Sequence, residues 1–375
     1  MAFSKRKWIL LPIGVLFFMG IVYWAIGMIQ YRLNVMDIED YDPVSTLKVP
    51  EHKLTRSRYP FIDVHNHQFA MPIQDLDKLV GEMDSLNMAV MVNLSGFRGK
   101  YLEWSLDNVK NSNPNRFILF LNIDFEKLDD AGWPEETLKM MEEGVKQGVR
   151  GLKVYKTLGL DETDNEGHRI AIDDPRLDPV WAKCGELGIP VLIHSGEPNS
   201  FWNPKDKHNE RWLELKRHPG RYRSADDYPP FEQVMAEQHR VFRKHPGTKF
   251  INAHLGWFGN DLERLGKLLD EMPNVYTELG AVLAELGRQP RFARQWLIRY
   301  QDRVMMGKDS YNVKEYYTYF RVLETDDEYF DYYRKYHAHW KMYGLALPDS
   351  VLRKVYFKNA LRVIPGIDKS LFPGD

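Results

Sequence analysis

The sequence predicts an α/β protein: a closed (β/α)8 TIM-like barrel preceded by one N-terminal transmembrane helix. Three observations predict it. Short apolar runs alternate with amphipathic stretches eight times along the chain, and parallel strands need helical crossovers of that kind. Roughly 315 residues follow the first 59, enough for one large domain with a sizeable core. The first strand runs into Asn66-His67-Gln68-Phe69, without the glycine-rich turn that an open dinucleotide-binding sheet carries there.

The N-terminus comes first. Lys5, Arg6 and Lys7 precede an uncharged apolar run, Trp8 to Ile29, with no polar face. As a helix this run is about 33 Å long, and a bilayer core needs about 20 such residues. Positive charge before the run predicts a cytoplasmic N-terminus and an exported remainder, periplasmic or extracellular. A cleaved signal peptide is the rival, but its apolar region is usually only about 7–15 residues. The expected division is therefore 1–7 cytoplasmic, 8–29 anchor, 30–59 tether and 60–375 barrel.

Strands are expected at Phe61–His65, Ala89–Leu94, Arg116–Asp124, Arg150–Lys156, Ile189–His194, Lys249–His254, Val275–Leu279 and Arg303–Gly307. Between them, Leu76, Leu79, Val80 and Met83 share one helical face of a 76–87 stretch. Helices are also expected near 101–111, from Pro134 to Gln147 with acids in the first turn, at 175–187 before Gly188, at 261–269 and at 291–300. In Tyr316–Tyr343, residues Tyr329, Tyr332, Tyr333 and Tyr336 fall at helical spacing. That run reads as core or subunit packing, which leaves a homo-oligomer open.

Composition excludes several classes. The net charge of −2 gives no basic field for nucleic acid. The single Cys184 excludes an internal disulfide framework and a thiolate metal cluster.

The chemistry lies at the strand ends, where barrels place their working groups. His65 and His67 are one residue apart and point to one side of a strand, their Cα atoms roughly 6.6 Å apart. Asp63 shares their parity and is a candidate acceptor for a ring N–H. His194 ends the fifth strand, His254 the sixth and Asp309 follows the eighth. Histidines and one acid at four strand ends are costly without a shared partner. Such a donor set suits a divalent ion such as zinc.

The motifs Asp63-Val64-His65-Asn66-His67, Ile193-His194-Ser195-Gly196, Asn252-Ala253-His254-Leu255-Gly256 and Gly307-Lys308-Asp309-Ser310 together resemble the amidohydrolase superfamily. The nearest branch is the amidohydrolase-related group with aminocarboxymuconate-semialdehyde decarboxylase-like enzymes. Val355–Arg362 resembles that group's closing helix. The resemblance implies that His65, His67, His194 and Asp309 hold a divalent metal, one ion or two. It implies that His254 either polarises water or binds a second metal, with His254 and Asp309 as the catalytic pair. It also implies a small-molecule substrate, and either hydrolysis of a C–N or ester/lactone bond or non-oxidative decarboxylation. A catalytically inactive binding module is the third alternative.

Lys153 and Lys156 have opposite strand parity, so only one faces the interior of a regular strand. Either could bridge two metals after carboxylation, or bind a substrate carboxylate. Glu197 is a candidate for the pocket mouth. Lys308 stands before Asp309 where many relatives have a small residue. The long connections 157–174 and 198–230 are expected at the active face, and the arginines of the second suit an anionic substrate. His208 and His218 read as surface residues, and His337 and His339 as diverging on a helix.

Overall fold

The computed structural model describes residues 5–374, with side chains from Val15 onward. Residues 1–4 of the expected N-terminal segment, and Asp375, lie outside the described residues. The chain forms two units, 1–49 and 50–375. In the first, helix α1 (Lys5–Leu33) contains the apolar run and continues four residues past Ile29. Among the described residues it holds the one stretch, Val15–Leu33, long and apolar enough to cross a membrane. Residues 34–49 carry only a short turn. The second unit begins ten residues before the expected barrel start, because its first residues are pinned to it. Asp327 accepts from the His52 backbone N–H (2.8 Å) and pairs with its ring (2.5 Å). Glu324 accepts from the Arg58 N–H at 3.0 Å.

The barrel strands are β1 (Phe61–Asn66), β2 (Met88–Asn93), β3 (Phe117–Leu119), β4 (Leu152–Val154), β5 (Val191–Ile193), β6 (Phe250–Asn252), β7 (Val275–Glu278) and β8 (Val304–Met305). All pairings are parallel and in sequence order: β1 to β3 in one sheet, β4 to β8 in the other. Two single bridges close the ring, Leu121 to Leu152 and Asn66 to Asp309. Most strands are shorter than the apolar runs predict. The β4 ladder, for example, covers only Leu152–Val154, so Lys156 lies in the following loop.

The helices are α2 (Leu76–Leu86), α3 (Gly99–Ser112), α4 (Trp133–Gln147), α5 (Asp178–Glu186), α6 (Trp212–Arg217), α7 (Phe231–Lys244), α8 (Leu262–Glu271), α9 (Leu283–Gly287), α10 (Pro290–Arg299), α11 (Val313–Glu324), α12 (Asp349–Arg353) and α13 (Asn359–Val363). Their termini follow local chemistry. Asp75 caps α2 by accepting from Lys78 N (3.0 Å), and Asn87 ends it in the left-handed region at φ 69°. Asp261 caps α8 through Arg264 N at 3.1 Å. Helix α7 lies beyond the elements read from the sequence. It opens after Pro229-Pro230 and buries Phe231, Val234, Gln238 and Val241 at helical spacing. The α12–α13 segment, joined by a π turn at Lys354–Lys358, contains the expected closing stretch.

The aromatic run departs from expectation. Helix α11 stops at Glu324, and residues 325–348 are irregular, so the tyrosines at 329, 332, 333 and 336 share no helix. The physical reason is local. Thr325 turns back onto Arg321 O (2.7 Å), Asp327 is held by Arg321 and His52, and Tyr329 adopts φ 56°. Only the middle of the segment reaches the C-terminal end of the barrel, where Tyr332, Arg334 and His337 stand near His194, His254 and Asp309.

Candidate metal centre

Each histidine of the cluster has a defined ring orientation. Glu278, fully buried at the end of β7, accepts from His65 Nδ1–H at 2.9 Å. That leaves His65 Nε2 as a buried lone pair with no partner among the described residues. The His67 tautomer follows from a relay. Tyr155 O–H donates to the Leu94 carbonyl (3.2 Å), so Ser95 O–H donates to Tyr155 (3.1 Å), and Ser95 Oγ accepts from His67 Nδ1–H (2.8 Å). His67 Nε2 is therefore also bare. His254 Nδ1–H donates to the Gly280 carbonyl at 2.7 Å. Its Nε2 then accepts from His194 Nδ1–H at 3.3 Å, and His194 Nε2 is left unpartnered. Three histidines thus present bare Nε2 atoms, the form a metal requires.

Asp309 stands between the first two. Its Oδ1 lies 3.6 Å from His65 Nε2 and 3.6 Å from His67 Nε2. The ligand atoms of these three residues lie within 4.8 Å of one another. His194 is outside this trio and joins it through His254, whose ring is 4.4 Å from His194 and 4.7 Å from His65. A second group, His65, His254 and Glu278, meets the same 4.8 Å limit, but its carboxylate is engaged by three N–H donors. Those are His65 Nδ1, His254 N (2.7 Å) and Gly280 N (2.5 Å).

Backbone geometry makes the convergence possible. Asp309 has φ 83°, and His254, Leu255, Gly256 and Trp257 form a left-handed turn with φ between 53° and 59°. Such conformations cost about 1–2 kcal/mol per non-glycine residue. The turn stacks Trp257 on His254, centroids 4.6 Å apart. At Gly307 a side chain would fall onto Glu278 Oε2 and the His65 Cβ, so the β8 end must be glycine to pass over them.

Electrostatics favour neutral rings around an ionised acid. Burial holds His65 and His194 well below the usual imidazole range and His67 at about 4. Burial alone would raise Asp309, but His65, His254, His67 and Lys153 outweigh it and bring it to about 2. Lys153 faces the interior, fully buried, with Nζ unpartnered among the described residues. Burial lowers it to about 7 against the pull of Asp309 and Glu278. Lys156 is not a second interior lysine; it pairs with Glu197, which also accepts from Arg223 at 3.2 Å.

Asp63 does not hold a ring N–H. Its Oδ1 accepts from the backbone of His65 (3.0 Å) and Lys308 (3.1 Å), and its Oδ2 from Asn66 (2.8 Å) and Tyr316 (2.6 Å). It ties β1 to β8, and Glu278 does the work expected of it. Lys308, 1% exposed, lies behind Asp309 and pairs with Glu315.

Above the cluster is a chamber of about 100 Å³ walled by Lys156, Arg221, Trp257, Arg334 and His337 among others. Buried Glu214 organises part of this roof. It binds Arg211 Nε (2.8 Å), Arg221 Nη1 (2.5 Å) and His337 Nδ1 (3.2 Å). Sequence reasoning missed Glu278, although it ends a strand as the histidines do. It also missed Glu214, Arg334 and the inward placement of His337, which only the loop folds reveal. His208 and His218 are exposed.

Comparison with known proteins agrees with this architecture. No curated protein matches the chain. An uncharacterised TIM-barrel protein from Bordetella bronchiseptica superposes with a TM-score of 0.52 at 17% identity, covering 81% of this chain and 97% of its own. The 2,6-dihydroxybenzoate decarboxylase from Rhizobium gives 0.50 at 14% identity, covering 81% and 98%. A protein-family model described as amidohydrolase matches residues 62–366. With more than three quarters of its length matched to that model, the chain belongs to the amidohydrolase family.

Proposed function

We propose that the protein is a metal-dependent hydrolase that cleaves a C–N or ester/lactone bond of a small anionic substrate. The observation that carries this reading is the convergence of His65 Nε2, His67 Nε2 and an Asp309 carboxylate oxygen within 4.8 Å, beneath a pocket. The buried, unpartnered Nε2 atoms of His65 and His194 fit a divalent ion, zinc in this reading, because lone pairs so placed are otherwise costly. His65, His67 and Asp309 would hold it, with His194 adjoining. Such an ion supplies a water acidified to near neutral pH and an electrophile for a carbonyl.

The chain's own groups do the rest. Asp309 is an ionised carboxylate lining the chamber, suited to take a proton from the attacking water and return it to the leaving group. Glu278 fixes the His65 ring, and His254 fixes His194 by accepting its Nδ1–H. Arg221, Arg334 and Lys156 supply donors for a substrate carboxylate. Lys153 offers a buried amine beside the reacting centre, for a substrate oxygen or, carboxylated, for a second ion.

In this reading α1 is an uncleaved anchor with its N-terminus cytoplasmic and the barrel exported. Its support is Lys5, Arg6 and Lys7 ahead of the apolar helix. Screening the metal-loaded full chain against small carboxylated amides, esters and lactones tests the chemistry. A new acid with an amine or alcohol is expected, lost in Asp309→Asn. Release of CO2 without a new acid contradicts it and assigns decarboxylation.

A further inference from the structure

The barrel leaves an apolar patch uncovered beside the entrance to its centre. Phe69 is 64%, Ile73 89% and Trp104 57% exposed. They form one surface. Tyr101, Trp104 and Asn108 lie on a single stripe of α3. Tyr101 O–H donates to Phe69 O, and Asn108 Nδ2 donates to Met71 O (2.8 Å) and Gln74 O (3.0 Å). Both ends of the stripe are thus pinned to the 69–74 loop, and Trp104 lies between them on the stripe. Phe97 extends the patch, 6.3 Å from Phe69 and 4.7 Å from Tyr101. Phe69 in turn stacks on His67 at 5.7 Å, so the patch reaches the centre itself. Single exposed apolar residues are ordinary, but a contiguous group beside a pocket marks an interaction surface.

We propose that Phe69, Ile73 and Trp104 seat this side of the barrel in the headgroup layer of a zwitterionic lipid bilayer. The inference rests on reading α1 as a membrane anchor. Three features select a bilayer as the occupant. Trp, Phe and Ile beside lysines are the composition of interfacial segments. On α3 the exposed Lys100 and Lys110 are balanced by the exposed Glu103 and Asp107, so the surface has no bias toward anionic lipid. The tether also reaches. The chain enters the barrel beside Asp327 and Leu86, at the end opposite the metal centre, so contact requires the tether to run the barrel's height. Residues 34–49, extended, cover roughly 54 Å, against about 21 Å for α3, the 14-residue barrel helix that carries the patch.

The test uses the full chain in phosphatidylcholine nanodiscs, with an environment-sensitive fluorophore on Ile73→Cys or, as control, on Lys267→Cys of α8. Cys184 is buried and stays unlabelled. Position 73 is expected to shift to the blue and to be quenched at least threefold more than position 267 by brominated lipid. Adding Trp104→Ser is expected to reduce that quenching. Incorporation into discs with equal, weak quenching at both positions overturns the patch and leaves the anchor standing. A blue shift that scales with protein-to-disc ratio, without lipid quenching, assigns the patch to a second copy and overturns it too. Failure to enter discs removes the anchor and the proposal together.

Discussion

Replacing Glu278 by Gln isolates what the buried carboxylate contributes. Glu278 accepts from His65 Nδ1 (2.9 Å), His254 N (2.7 Å) and Gly280 N (2.5 Å). A carboxamide has the same shape but only one acceptor oxygen. If that oxygen serves His65 and His254, the amide nitrogen confronts Gly280 N–H, and both are left without an acceptor. A buried unsatisfied donor costs about 1–3 kcal/mol, so the metal-free variant should lose at least that much stability. The ring of His65 also loses the negative charge that raises its basicity. Removing such a supporting acceptor weakens metal binding by about 10–100-fold, equivalent to about 1.4–2.7 kcal/mol. Chelator competition on the purified full chain measures the affinity, and urea denaturation of the metal-free form measures stability. A folded Glu278→Gln protein that binds zinc within twofold of the native affinity would refute the assigned role.

Lys153→Met replaces an unpartnered buried amine with an apolar chain of similar length. The metal-free protein should gain about 1–2 kcal/mol in urea while activity is lost; a loss of stability contradicts the assignment of Lys153 to function over packing. Glu214→Gln loosens Arg211, Arg221 and His337. It should raise KM for an anionic substrate about tenfold with kcat nearly kept, and a pure kcat loss argues against a recognition role. The third expectation concerns pH. Burial lowers His67, His239 and His337 to about 4 in the folded protein, against about 6.5 unfolded. The unfolded chain therefore binds more protons between these values, so stability is full above about pH 6.5 and falls as pH drops toward 4. Asp63, raised by burial to about 6, opposes this trend but is one group against several. His239→Phe, remote from the centre, should flatten the metal-free profile by at most about 3 kcal/mol; an unchanged slope contradicts the account.

The parts legible in the sequence are those governed by local pattern. Apolar strands closing on His65, His194 and His254 announce themselves because charge at the end of a buried run needs a reason. Asp309 followed from the same logic. Glu278 obeys it too, but Val275-Tyr276-Thr277-Glu278 is already polar at Thr277 and so masks a working acid as an ordinary strand end. Asp63 was legible as important and wrong in role: parity places it beside the histidines, but register alone cannot tell that Lys308 N–H and Tyr316 O–H reach it from elsewhere. The segment 325–348 shows the limit of periodicity. Its tyrosines have helical spacing, yet tertiary ties from His52 and Arg321 to Asp327 break the helix. The roof built by Glu214, Arg221 and His337 depends on loops brought together only in the fold.

The most direct measurement is the metal content of the full chain, purified from cells grown with added zinc and manganese, beside the His65→Ala/His67→Ala double variant. The account predicts about one tightly held divalent ion per native chain, and none in a double variant that keeps its circular dichroism spectrum. Native protein that is metal-free, or a double variant that retains the ion, would contradict it.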